Sequence, residues 1–410
     1  MSTGSILTPK QKEELLFSVL DYLEKNNFPN ARETLLKESN LENYEKNSKF
    51  ENLLEKKFTS VLRLQKKNLT LEKEISELKS RLEKLPTSKL FNEKKLLPND
   101  NPNFTLSNHR SAVTKVAFHP CFTIIASCSE DSTIKIYDYE TGEYEKSLNG
   151  HTKTVEDIIF DKKGSILASC SADLSIKIWD VKNNFLCLKT LYGHEHTVSG
   201  LSLTPSGDTL ISCSRDNSIK IWDLTSGYCT KTLYGHEDWV RKVDVSEDGK
   251  LIASCSNDKT IRIYDLNSGE FKAELRGHEH VIECVKFLPS SFFKNFKLNL
   301  ENFNLDFEIG QIVVSGSRDN TLRFFDSHNL QLLFTLNGHE TWIRDIAFNP
   351  NGDSFASCSD DKTVRIWDIK NLKVIKVLKA ESFISCLDFS VNGFYLMFGY
   401  DNVVQVHECS

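Results

Sequence analysis

The sequence predicts an all-β ring, a seven-bladed propeller, preceded by an α-helical region that pairs with a second copy. Two observations carry the ring and a third carries the pairing. A Gly-His pair recurs at Gly150-His151, Gly193-His194, Gly235-His236, Gly277-His278 and Gly338-His339, with Asn108-His109 as a degenerate first copy. A second run follows each His: SCSEDSTIKIYD, SCSADLSIKIWD, SCSRDNSIKIWD, SCSNDKTIRIYD, SGSRDNTLRFFD and SCSDDKTVRIWD, with FGYDNVVQVHE as a weaker seventh copy. A period of ~40–45 residues with these marks corresponds to one four-stranded blade per repeat. The third observation is a heptad pattern between residues 54 and 85.

Composition frames the reading. The chain has 410 residues and a formal net charge of −6. Residues 1–98 hold 19 basic and 15 acidic residues, which leaves 32 and 42 for the remainder. Neither part is basic enough for a nucleic-acid domain. No run reaches the ~18 apolar residues of a membrane span, and residues 1–16 lack an apolar signal core, so a cytosolic or nuclear location is expected. Eleven cysteines without a CxxC pair argue against a disulfide framework and a zinc ribbon. No metal or cofactor is expected.

Residues 8–40 read as a helical hairpin. Leu15, Leu16, Val19, Leu20 and Leu23 fall at helical spacing, Asn26-Asn27 can end the first helix, and Pro29 suits the first turn of the second. Thirty residues cannot bury a core alone, so Leu16, Leu20 and Leu23 are expected at a dimer interface. Residues 50–85 follow as a coiled coil. Position a falls on Leu54, Val61, Asn68, Ile75 and Leu82, and Leu64, Leu71 and Leu78 fall at d. The lone amide Asn68 fixes register, and Lys67–Glu72 and Glu74–Lys79 match across helices only in a parallel pair. Residues 86–102, with three prolines, read as a linker, and 103–410 as the propeller.

Within the propeller the last repeat lacks an outer strand, which Asn103–Asn108 can supply and so close the ring. Cys128, Cys170, Cys213, Cys255 and Cys358 share one slot, suited to a small apolar side chain between strands. The spacing of 61 between His278 and His339 reflects an insertion at 289–310, rich in Phe and Asn, between the first two strands of the fifth blade.

The repeats resemble WD repeats. By that resemblance, His151, Ser169, Asp173 and Trp179 form one hydrogen-bonded set, as do His194, Ser212, Asp216 and Trp222, and His339, Ser357, Asp361 and Trp367. Tyr137, Tyr264 and Phe325 replace Trp elsewhere, and Phe325 has no donor. A His-Ser-Asp trio suggests a hydrolase, but its recurrence in blade after blade argues for structure, since a catalytic triad is needed once. No catalytic residue is expected.

Comparison of the repeats exposes the odd positions. The Gly-His loops and Asp turns lie on one face, and there the third to sixth repeats carry Arg215, Trp239, Arg241, Lys259, Arg318, Trp342, Arg344 and Lys362. Trp and Arg are the types enriched in interface hot spots, and the basic rim implies an acidic protein partner.

The stretch LLFSVLDYLEKNNFPNARETLLKES resembles a LisH motif, a dimerising module. A LisH-like hairpin, a short coiled coil with LLEKKFTSVLRLQKK at 53–67, and seven WD repeats resemble, in that order, the lissencephaly protein family of NudF-like dynein regulators. The resemblance covers about residues 8–408. It implies a non-enzymatic parallel homodimer that binds the cytoplasmic dynein heavy-chain motor domain and works in microtubule-based transport, nuclear positioning and spindle function. It implies a NudE-type partner, the catalytic subunits of platelet-activating-factor acetylhydrolase where these exist, and a location in the cytoplasm at microtubules and centrosomes or spindle poles. The family's motor-binding face maps onto Arg215, Arg241, Arg318, Trp342 and Lys362. Neither nucleic acid nor membrane insertion is expected. The alternative is a WD-repeat adaptor in a ubiquitin-ligase or chromatin complex.

Overall fold

The structure, a computed structural model, describes residues 96–292 and 312–410, together with residues 16, 17, 19, 20, 22–24, 28, 31, 34 and 35. The chain divides into two units, Met1–Lys94 and Lys95–Ser410. In the first, Leu16, Leu20 and Leu23 are helical, Leu20 is buried, and the Phe28 N–H donates to the Leu23 carbonyl at 3.0 Å. The expected coiled coil, with Leu54, Val61, Leu64, Asn68, Leu71, Ile75, Leu78 and Leu82, lies outside the described residues. So do most of the hairpin, residues 86–95, residues 293–310 of the insertion, and residue 311.

The second unit contains strands β1 to β28, arranged as seven antiparallel four-stranded sheets. The first strands of successive blades touch one another and line the centre. Alternation drives each strand: in Ile176-Lys177-Ile178-Trp179 the isoleucines and Trp179 are buried and Lys177 is partly exposed. In the first six blades the residue after the turn Asp has a left-handed φ, from 65° at Ser132 to 70° at Leu174. The Asp carboxylate holds this turn. Asp173 Oδ1 accepts the Ser175 N–H at 3.0 Å, an Asx turn that offsets the backbone strain at Leu174.

The ring closes as its repeats require. Strand β1 (Phe104–Leu106) pairs with β28 (Val403–Glu408), Phe104 opposite Val406 and Leu106 opposite Val404. Closure begins earlier than the expected boundary at 103. Pro98 bridges to Cys409, and the Asn99 N–H donates to the Glu408 carbonyl at 2.8 Å. Residues 97–102, read as linker from their prolines, are thus strapped to the C-terminus. A proline at a sheet edge loses no ladder bond.

A charged layer crosses the central channel. Lys242 pairs with Asp157 at 2.9 Å, and Lys115 pairs with Asp345. Burial opposes both lysine charges, but the carboxylates raise their pKa values above the ordinary lysine value. Beside this layer, every blade supplies one buried thiol. Five lie on second strands, in the slot seen in the sequence. In blades 5 and 7 that slot is Gly316 and Gly399, and the thiol comes from the facing first strand, as Cys284 and Cys386. The exchange conserves volume: a Cβ on Gly316 would sit 2.8 Å from the Cys284 sulfur. Burial pushes these thiols up, Cys213 to about 12, so they are packing groups rather than nucleophiles. A cavity of about 340 Å³ is lined by residues of all seven blades, including Asp244, Lys286 and Asp388.

The insertion starts by docking. Phe292 is fully buried and packs edge-on against Phe348 of blade 6, with ring centroids 5.1 Å apart.

Candidate functional site

The repeated polar residues form relays. In blade 2, His151 Nδ1 lies 2.9 Å from Asp173 Oδ2, His151 Nε2 lies 2.8 Å from Ser169 Oγ, and Trp179 Nε1 donates to Ser169 Oγ at 2.9 Å. The same set recurs at His194, Asp216, Ser212 and Trp222, and at His339, Asp361, Ser357 and Trp367. One proton order satisfies it: indole N–H to hydroxyl, hydroxyl to neutral Nε2, and Nδ1–H to carboxylate.

The four blades without Trp differ. His109, His236 and His278 still bond their Ser and Asp partners. Among the described residues, however, the hydroxyls of Tyr137 and Tyr264 have no hydrogen-bond partner. Like Phe325, they leave the relay without its aromatic donor, although a Tyr in the Trp slot suggested otherwise. In blade 7, His407 replaces Trp, stacks on Phe398 at 5.1 Å, and meets the Asn99 carbonyl at 2.8 Å. Burial opposes ionisation of Asp131, but bonds from Thr133, Arg110 and His109 outweigh it and hold its pKa down to about 2.

The rim residues gather differently. They form two stacks of the same design, each spanning two adjacent blades. In the first, the Arg215 and Arg241 guanidinium carbons lie 4.9 and 5.5 Å from the Trp239 ring centroid, and His196 tilts onto that ring at 6.1 Å. In the second, Arg318 and Arg344 lie 4.2 and 5.2 Å from Trp342, with His280 at 6.5 Å. The two indoles remain 37% and 38% exposed. Each cation–π contact at such a site contributes roughly 0.5–1 kcal/mol and holds a flexible guanidinium flat.

Carboxylates sit beneath the stacks. Glu283, only 8% exposed, pairs with Arg318 and lies 3.6 Å from Arg344 and 4.0 Å from Arg241. Arg344 also forms a bidentate pair with Asp360, both contacts at 2.8 Å. Arg215 meets Glu156 at 3.3 Å, and Arg241 Nε donates to Asn257 Oδ1 at 2.7 Å. The face is therefore less basic than the eight residues alone suggest. Lys362 is exposed at the turn, donates to the Glu381 carbonyl at 3.1 Å and lies over Phe383. Lys259 is exposed at the equivalent turn, and no hydrogen bond or ion pair among the described residues joins it to the stacks.

Sequence reasoning missed Glu283 and Asp360 as counter-ions, His196 and His280 as ring partners, and Phe383 as a third aromatic. The motif Gly-His-Glu-His, present in the third and fifth repeats alone, marks the two histidines. Phe383 occupies the slot of Trp239 and Trp342, hidden because Ala380 replaces the guiding His. Among the described residues there is no cluster of three metal-ligating groups and no helix long and apolar enough to cross a membrane.

Comparison with known proteins agrees with this architecture. The WD domain, G-beta repeat, matches residues 100–138, 142–180, 185–223, 227–265, 269–326 and 330–368. The PAC1 LisH domain matches residues 9–44. A nuclear distribution protein PAC1 from Mycosarcoma maydis is 58% identical over 366 residues, which covers 87% of this chain and 81% of that protein.

Proposed function

Since the chain belongs to the lissencephaly, NudF-like family that includes the nuclear distribution protein PAC1, we propose that it is a homodimeric, non-enzymatic regulator of cytoplasmic dynein. It binds the heavy-chain motor domain through the face bearing Trp239 and Trp342. The observation that carries this reading is the pair of Arg–Trp–Arg stacks, exposed on one face and absent from blades 1 and 2. Exposed indoles flanked by ordered guanidiniums suit a protein surface with acidic side chains.

The remaining parts follow from the same reading. The LisH segment and the heptads around Asn68 join two chains in parallel, so that two propellers share one stalk and gain avidity when both engage. A NudE-type coiled-coil protein is a second partner, and acetylhydrolase subunits are a third where they occur. The protein works in the cytoplasm, at microtubules and centrosomes or spindle poles, in transport and nuclear positioning.

The test is binding of the purified full chain to a dynein motor domain, wild type against Arg318→Glu with Trp342→Ala. Loss of two hot-spot side chains weakens binding by ~2 kcal/mol or more, about 30-fold. Unchanged affinity in a variant with a normal melting temperature removes this face as the site.

A further inference from the structure

The two stacks match in geometry but not in charge. Arg215 and Arg241 face one close carboxylate, Glu156, with Glu283 at the 4.0 Å limit. Arg318 and Arg344 face two, Glu283 and Asp360, at closer range. The difference traces to one repeated position, the residue before the turn Asp. It is Asn257 in blade 4 and Asp360 in blade 6, and each receives the Arg five residues after its own Gly-His mark. An amide oxygen satisfies a guanidinium N–H without cancelling its charge, whereas a bidentate carboxylate does both.

We infer that the two stacks divide the work of recognition: the Trp239 half takes a partner's Asp or Glu carboxylate, and the charge-balanced Trp342 half makes uncharged contact, with Asn257 and Asp360 setting the difference. This deepens the proposed motor-binding reading and names the group that each half accepts. The proton equilibria of the two arginines agree. Burial weakens the charged form of Arg241, and the nearby Arg318 and Arg215 add to this against Glu283, so its pKa is lowered. Burial acts on Arg344 too, but Asp360 and Glu283 outweigh it, so its pKa is raised. Arg241 thus lacks an anion that Arg344 already has. The guanidinium is planar and always charged, and its fork of N–H donors matches the geometry of a carboxylate.

Equal indole exposure makes the idea testable without any partner. Trp179, Trp222 and Trp367 are buried, so quenching from solvent reports Trp239 in the Trp342→Phe chain and Trp342 in the Trp239→Phe chain. Iodide senses local charge, and neutral acrylamide corrects for access. One unscreened unit charge about 5 Å away enriches a monovalent anion severalfold in water, and about twofold after screening at moderate salt. The iodide-to-acrylamide ratio is therefore expected to be about twofold higher at Trp239 than at Trp342. Asn257→Asp should lower the ratio at Trp239, and Asp360→Asn should raise it at Trp342. A hexaglutamate peptide at low salt should shield Trp239 from iodide before Trp342, while hexaglutamine shields neither.

Equal ratios, a higher ratio at Trp342, no response to either substitution, or equal shielding of the two indoles by hexaglutamate overturns the inference. The quenching result decides it even where motor binding fails. Where the motor does bind, Asn257→Asp should weaken it about fivefold at low salt and flatten its salt dependence.

Discussion

Replacing Ser212 by Ala tests whether the Trp-containing relays stabilise the blades. Ser212 Oγ lies 2.8 Å from His194 Nε2 and 2.8 Å from Trp222 Nε1, and all three side chains are buried. The substitution removes the acceptor of one group and the donor to the other. Each orphaned buried group costs ~1–3 kcal/mol, so the loss should be about 2–5 kcal/mol. Ser254→Ala in blade 4 is the matched control. Ser254 Oγ bonds His236 Nε2 at 2.8 Å, but the Tyr264 hydroxyl makes no hydrogen bond to it. There only one strong bond is lost, for about 1–3 kcal/mol. Urea unfolding of the full chain, followed by circular dichroism at unchanged slope, should show a larger midpoint shift for Ser212→Ala by the equivalent of ~1–2 kcal/mol. Equal shifts, or a larger one for Ser254→Ala, would refute the relay as drawn.

Acid should destabilise the propeller in two stages. Burial lowers the pKa values of His109 and His278 despite their Asp partners, so the unfolded chain binds protons first and stability declines as pH falls below about 6.5. Asp131 is held at about 2, so its contribution is complete above the ordinary Asp value and is lost as pH falls from about 4 through about 2. Melting temperatures from pH 7.5 to 2.5 should show both arms, with Asp131→Asn flattening the lower one. In the thiol ring, Gly316→Cys should cost ~1–3 kcal/mol by overpacking against Cys284 and Ile343, and adding Cys284→Gly should recover part of that loss. Additive losses in the double variant would refute the volume exchange.

The fold was legible because its signal is local and repeated. Six blades carry their own His, Ser, Asp and alternating strands, all but the fifth within about 40 residues, so one mark could be checked against five others. The aromatic half of the rim was legible for the same reason, because Trp239 and Trp342 break a pattern. Their counter-ions were not. Glu156 pairs with Arg215 across 59 residues, and Arg318 reaches Glu283 across 35, from one blade to another or across a blade. Such pairs depend on how loops meet in space, and no period in the sequence records it. The thiols of Cys284 and Cys386 stayed unread because they replace Gly316 and Gly399 on the facing strand. The strap from Leu97 was hidden by prolines, which mark a linker by composition yet sit well at a sheet edge.

The closure of the ring has a consequence in time. Strand β1 is synthesised first and its partner β28 last, with about 300 residues between them; at ~5–20 residues per second the ribosome takes roughly 15–60 s to join the two. Throughout that interval Phe104 and Leu106 belong to a blade that does not yet exist. A chain cut short before Val403 never offers them a strand, and it keeps the outer edge of β27 (Tyr395–Tyr400) unpaired. Such an edge is what aggregation and quality control recognise. The seam therefore forms only once β28 has been made, and until then Phe104 and Leu106 stay without their partners.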